Sequence, residues 1–227
     1  MSQELTWLSQ DNLAFPDPQL ALKEPNGLLA LGGNLSVTTL LTAYSNGIFP
    51  WYCEDQPIMW WSPTPRAVIY LEDIKINRTL RKFLNKNKYK VTFNTAFEEV
   101  ISYCADAPFR NDDTWIVEDM LDAYLKLHQA GHAHSIEVWD EDILVGGLYG
   151  VAIGGFFSGE SMFYTAPNAS KVALLALVER LKEIGALFVD CQITNPFLES
   201  MGATEIPRQH FLNEMRLQQA LSVKTLF

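Results

Sequence analysis

"ILVGGLYGVAIGGFFSGESMFY", residues 143–164, decides how this chain can fold. Its first seventeen residues carry no charge and hold six glycines. A bilayer-crossing helix needs about 20 apolar residues, and interior glycines weaken any helix. The stretch therefore reads as two buried strands, "ILVGGLYGVAIG" (143–154) and "GFFSGESMFY" (155–164), with no membrane span. "HSIEVWD" (134–140) reads as a strand before them. After them, Asn168 or Ser170 is expected to cap a helix running to Ile184, with Leu174, Leu177, Val178 and Leu181 facing inward and Gly185 beyond its end. "ALFVDCQI" (186–193) is a further apolar strand, followed by a helix over about 207–220.

Working outward, "RAVIYL" (66–71) and "KYKVTFN" (88–94) read as strands, and 95–104 and 117–130 as helices. The second helix carries Met120, Tyr124 and Leu127 in one stripe and ends at Gly131. Strands and helices in this order predict an α/β (α+β) fold with a mixed sheet and a helix crossing between strands. Residues 1–62 differ in composition. "FPDP" (15–18), "EPNGLLALGGNL" (24–35) and "GIFPWY" (47–52) read as turns around short elements, with a helix from Ser36 to Tyr44. The prolines of "SPTPR" (62–66) mark a boundary, giving a small N-terminal domain over 1–62 and a second domain over 63–227.

With 48% hydrophobic and 19% charged residues in 227, the chain is globular. "MSQELTWLSQDN" has acids and no basic leader, so no signal peptide is expected. Cys53, Cys104 and Cys191 are an odd number without CxxC spacing, which points to reduced thiols and a cytoplasmic location. His128, His132 and His134 in "HQAGHAH" lack a third-ligand spacing, so no metal site is expected. There is no GxxxxGK[ST], no strand–GxGxxG–helix and no GxSxG pattern, which argues against nucleotide-phosphate cradles and a serine-hydrolase elbow.

Two features stand out from this background. The chain's formal charge is −10, yet seven of its 17 basic residues lie in "KINRTLRKFLNKNKYK" (75–90): Lys75, Arg78, Arg81, Lys82, Lys86, Lys88 and Lys90. That segment contains no acid. A local patch acts within a Debye length of about 8 Å, so it can grip phosphates through counterion release despite the acidic whole; a solvated helix face is the plainer alternative. The second feature is a pair of acids on apolar strands, Glu160 and Asp190, with Gln192 two positions after Asp190 and so expected on the same side. Buried carboxylates need partners, so they are either structural or line a cleft that holds a cationic group. Trp51, Trp60, Trp61 and Trp115 are either core or stacking platforms for bases.

Together, "FPDP", "EPNGLLALGGNL", "AYSNGIFPW", "WWSPTPRAV", "TWI", "LHQAGHAHSIEVW", "LVGGLYG", "GESMF", "NASKVALL" and "DCQITNPFLESMGATEIPR" resemble the blocks of the leucyl/phenylalanyl-tRNA–protein transferases, in order from residue 15 to 208. The resemblance implies a small N-terminal domain and a GNAT-like C-terminal domain with a mixed β-sheet flanked by helices. It implies transfer of Leu, Phe or Met from aminoacyl-tRNA to proteins beginning with Arg or Lys. The product would be read by a bacterial N-degron adaptor and protease. No metal or coenzyme is implied, and a monomer is expected.

By the same resemblance Trp51 and Trp115 surround the 3′-terminal adenosine, with Tyr124 in that environment. Leu148, Phe157, Met162, Leu174, Leu177 and Val189 form the pocket for the transferred side chain, and residues 75–90 hold the tRNA. Glu160, Asp190 and Gln192 are the catalytic group. Gln192 aims the acceptor amine, Asp190 orients Gln192 and attracts the cationic acceptor, and Glu160 holds an α-amino group; a base relay through Asp190 is the alternative. Two rival functions remain. A coenzyme A-dependent acetyltransferase needs a glycine-rich loop where this chain has "YTAPNASK" (164–171). A non-catalytic RNA-binding protein leaves the two strand carboxylates unexplained.

Overall fold

The structure is a computed structural model that describes residues 5–10, 14–106 and 117–222. Its elements run β1 (Thr6–Leu8), β2 (Leu28–Gly32), α1 (Val37–Ser45), β3 (Phe49–Pro50), β4 (Met59–Trp61), β5 (Arg66–Tyr70), α2 (Arg78–Leu84), β6 (Lys90–Phe93) and α3 (Phe97–Ala105). They continue with α4 (Glu118–Gln129), β7 (Ala133–Asp140), β8 (Ile143–Ile153), β9 (Phe156–Tyr164), α5 (Ala169–Glu183), β10 (Phe188–Gln192), α6 (Pro196–Met201), β11 (Thr204–Ile206) and α7 (Arg208–Gln219).

The glycine-rich stretch is a hairpin. Ile153 pairs with Phe156, leaving Gly154 and Gly155 as a two-residue turn, with Gly154 at φ 58. A side chain there would strain the turn, and its Cβ would lie 2.2 Å from the Gln219 carbonyl oxygen. Gly146 serves close packing instead: a Cβ would sit 2.5 Å from that of Ala169 at the start of α5. Helix α5 lies on this sheet with Leu174, Leu177, Val178 and Leu181 all at most 2% exposed, the four inward residues its spacing predicts. Each such burial is worth about 1.5–3 kcal/mol.

Two sheets result. The smaller is ordered β1-β2-β4-β3 and the larger β11-β5-β10-β9-β8-β7-β6. In the larger sheet β9 and β10 pair in parallel, connected through α5, while the other neighbours are antiparallel. This is the mixed α/β sheet flanked by helices that the sequence predicts, beside a small N-terminal sheet. One hydrophobic cluster joins them: Tyr44 and Ile48 pack with Val100, Tyr124 and Tyr149. The short element within "EPNGLLALGGNL" is β2, Leu28–Gly32, paired with both β1 and β4. Ser36 caps α1, accepting from the Thr39 amide. Among the described residues no helix is long and apolar enough to cross a membrane.

Candidate active site

The parallel pairing of β9 and β10 runs through Phe157–Val189 and Ser158–Asp190. Beyond that point a cavity of about 630 Å³ opens, lined by residues of both strands, of α5, and by Phe49, Pro50 and Trp51. Each strand is irregular just there. Gly150 pairs with Gly159 and Tyr149 with Ser161, so Glu160 is an extra residue on β9. A second irregularity separates Asp190 from Gln192 on β10, and Gln192 sits at φ 62. Such bulges re-aim side chains, and a left-handed non-glycine costs about 1–3 kcal/mol. Simple alternation along the strand therefore does not place Gln192; the bulge does.

Asp190 is completely buried. Its two oxygens accept from Arg66 Nε and Nη2, each at 2.7 Å. Ser158 Oγ donates to it at 2.9 Å and the Gln192 backbone amide at 3.1 Å. Arg66 is held in turn between the rings of Phe49 and Phe211, 4.8 and 4.5 Å from their centroids, and Nη1 donates to the Gly47 carbonyl. This corrects the expectation that Asp190 attracts the cationic acceptor, because the Arg66 guanidinium already neutralises it. What the structure shows is its contact with the Gln192 backbone amide. Sequence patterning marks Arg66 only as the start of a strand. The usable signal is the rule that a buried carboxylate needs a cation.

Glu160 is partly accessible from the cavity. Gln192 Nε2 donates to its Oε1 at 2.9 Å and Tyr124 Oη to its Oε2 at 3.2 Å. Burial pushes the Glu160 carboxyl up to about 7; the hydroxyls of Tyr44 and Tyr124 pull it back down, Asp190 raises it and Arg66 lowers it. Tyr124 is fully buried and hydrogen-bonded to the Tyr44 hydroxyl. It supports Glu160 and is absent from the cavity wall, contrary to its expected place beside the adenosine. Tyr44 is a site residue that the sequence reading misses.

Of the predicted pocket, Leu148, Met162, Leu174, Leu177 and Val189 line the cavity. Phe157 does not; it is buried in the cluster behind them. Trp51 stands at the cavity, 41% exposed, 5.8 Å from Trp61 between ring centroids. Trp60 is core, edge-on to Phe15. Trp115 lies outside the described residues. Phe197 and Leu198 of α6 add unforeseen apolar wall.

All seven basic residues of 75–90 are exposed, on α2, its flanks and the first residue of β6. Lys88 is engaged with Asp140 at 2.5 Å. The histidines are dispersed in function. His128 stacks on Phe97 at 4.1 Å and its Nδ1 meets the Ala133 carbonyl oxygen, while burial pushes His134 down to about 4. Among the described residues no group of three or more His, Cys, Asp or Glu is placed to hold a metal.

The family model described as leucyl/phenylalanyl-tRNA protein transferase matches residues 68–216, and the model of that family's N-terminal domain matches 33–64. The leucyl/phenylalanyl-tRNA–protein transferase of Colwellia psychrerythraea is 56% identical, covering 100% of this chain and 95% of its own. That of Pseudomonas syringae pv. tomato is 54% identical, covering 91% and 90%, and that of Yersinia enterocolitica 52%, covering 93% and 89%. Among solved structures, L-PGS from Bacillus licheniformis is similar at 12% identity and a TM-score of 0.42, over 74% of this chain and 53% of that one. A GCN5-related N-acetyltransferase from Kribbella flavida is similar at 8% and 0.35, over 76% and 61%. At such scores neither carries an argument. The sequence matches do: the chain belongs to the leucyl/phenylalanyl-tRNA–protein transferase family, and it is an aminoacyltransferase.

Proposed function

We propose that the cavity between β9 and β10 is where Leu, Phe or Met leaves its tRNA and joins the N-terminal Arg or Lys of an acceptor protein. The supporting observation is its two-sided wall: Leu148, Met162, Leu174, Leu177 and Val189 on one part, Glu160 and Gln192 on another. An unbranched or γ-branched apolar side chain suits the first. A cationic amine suits the second.

The ester is already activated, and the attacker is an α-amine whose ordinary pKa is about 7.7–8.0. Orientation is then the main task, and it can supply about 7–11 kcal/mol. The amine nitrogen bonds to the ester carbonyl carbon, the bond to the ribose oxygen breaks, and the proton shed by nitrogen ends on that oxygen. Gln192 Nε2 is directed at Glu160, which leaves the amide oxygen to accept from the incoming amine. Asp190 accepts four hydrogen bonds and is closed off by Arg66, which favours positioning over a proton relay. Glu160 is the carboxylate left to meet a cationic amine.

The basic residues from Lys75 to Lys90 would hold acceptor-stem phosphates, with Trp51 and Trp115 around the terminal adenosine. The division into residues 1–62 and 63–227, cytoplasmic location, monomeric state and reading of the product as an N-degron belong to the same proposal. The test is incubation with labelled Leu-tRNA and an Arg-starting peptide. A thermal-shift titration with acetyl-CoA discriminates the acetyltransferase reading.

A further inference from the structure

Tyr44 belongs to α1, in the N-terminal part of the chain, yet its hydroxyl lies against that of Tyr124 on α4. Tyr124 in turn donates to Glu160 Oε2. Because the Tyr124 proton is committed to the carboxylate, the proton between the two tyrosines comes from Tyr44. Both rings are at most 1% exposed, and Tyr124 is edge-on to Tyr149 at 5.6 Å, so neither hydroxyl can turn away to water. Among the described residues no member of α1 lines the cavity, and those of the N-terminal part that do are Phe49, Pro50 and Trp51, so Tyr44 meets the site only from behind its wall.

We infer that Tyr44 is a positioning residue for the transfer reaction: its hydroxyl, together with that of Tyr124 to which it is bonded, holds the Glu160 carboxylate in its ionised, cavity-facing state, so that helix α1 completes an active site formed by β9 and β10. The inference rests on the proposed role of Glu160. A tyrosine pair suits this task physically. Each hydroxyl is kept protonated by burial, which raises both well above the ordinary phenol value, so the pair stays a donor chain throughout the working pH range. Donation to the charged form favours that form, and a chain of such bonds polarises along its length. The groups acting on Glu160 from its surroundings are Tyr44 and Tyr124, Gln192 and Asp190 on β10, and Arg66 on β5. The two tyrosines are the members whose change to Phe removes a hydroxyl without opening a cavity or freeing a charge, and Tyr44 is the one contributed by α1.

The test is Tyr44→Phe, read two ways. The first is the 13C NMR titration of the Glu160 side-chain carboxyl, assigned by its disappearance in Glu160→Gln; it needs no substrate. The second is the pH dependence of kcat for Leu transfer onto an Arg-starting peptide. The inference expects the Glu160 midpoint to move to higher pH. It also expects kcat below neutral pH to fall roughly three- to tenfold, the worth of one ordinary hydrogen bond, with KM for Leu-tRNA unchanged and no further loss when Tyr44→Phe is added to Glu160→Gln. Should Tyr44→Phe not fold, Tyr124→Phe removes the bond nearest the carboxylate and must give the same shift. An unmoved midpoint overturns the inference, as does an equal loss of kcat in the Glu160→Gln background. A wild-type protein that transfers nothing while its Glu160 midpoint still responds to Tyr44→Phe contradicts the proposed reaction and keeps the hydrogen-bond chain.

Discussion

Arg66 and Asp190 stand 124 positions apart in the chain and meet through two 2.7 Å hydrogen bonds at 1% and 0% exposure. The pair ties β5 to β10 at the strand that carries Gln192. Breaking such a pair by removing one partner leaves a buried, uncompensated charge, which costs about 3–5 kcal/mol. Arg66→Met and Asp190→Asn should each lower Tm, by roughly 2–4 °C per kcal/mol at this size. Thermal unfolding followed by circular dichroism checks this, and an unchanged Tm in either variant contradicts the assignment.

Glu160 makes an opposite prediction. Its carboxyl is raised to about 7 from the ordinary 4.5, so between those values the folded state binds more protons than the unfolded one. Stability from this group is therefore lost as pH rises from about 4.5 through 7. Glu160→Gln, which cannot ionise, should be more stable relative to wild type at pH 8 than at pH 4. Denaturant midpoints at the two pH values decide it; a constant difference speaks against the raised value.

The basic segment is tested by salt. Replacing Arg78, Arg81 and Lys82 by Glu should weaken tRNA binding and flatten its salt dependence, by about 0.7–0.9 in log–log slope for each phosphate no longer neutralised. Lys88→Ala should matter less, because Lys88 is already paired with Asp140. A slope that survives the triple replacement removes residues 75–90 from the tRNA interface.

Donor choice is tested by competition among charged tRNAs for one Arg-starting peptide. The cavity residues Leu148, Met162, Leu174, Leu177 and Val189 offer no polar side chain. One methyl in such a pocket is worth about 1–3 kcal/mol, so Leu-tRNA should exceed Ile-tRNA or Val-tRNA by roughly 10- to 200-fold in kcat/KM. Met162→Ala should cost Leu more than Phe, since the smaller group leaves the larger void. Equal transfer of Ile and Leu would place selection outside this pocket.

What can be read from sequence is what repeats locally. The glycine-broken run 143–164 folds as the two expected strands, which the structure pairs as a hairpin, and the leucine spacing of 174–181 predicts the buried face of α5. The site is legible as residue types: Glu160, Asp190 and Gln192 do converge. Their connections are not. Arg66 and Tyr44 reach the site from positions more than 110 residues away from Asp190 and Glu160 respectively, and no periodicity links such pairs. Strand alternation puts Gln192 beside Asp190, but a backbone irregularity governs its direction. Tyr124 sits in a regular helical stripe and so looks like core, which it is; only its hydroxyl, donating to Glu160, belongs to the site.

The central claim is that this cavity joins an aminoacyl group from tRNA to the N-terminus of a cationic-start protein. The most direct measurement is transfer of labelled Leu from Leu-tRNA to a peptide beginning with Arg, compared with the same peptide acetylated at its α-amine and with one beginning with Glu. The account predicts label on the free Arg-starting peptide, none on the acetylated one, and little on the Glu-starting one. Equal labelling of the Arg- and Glu-starting peptides, or none on either while Leu-tRNA binds, would contradict it.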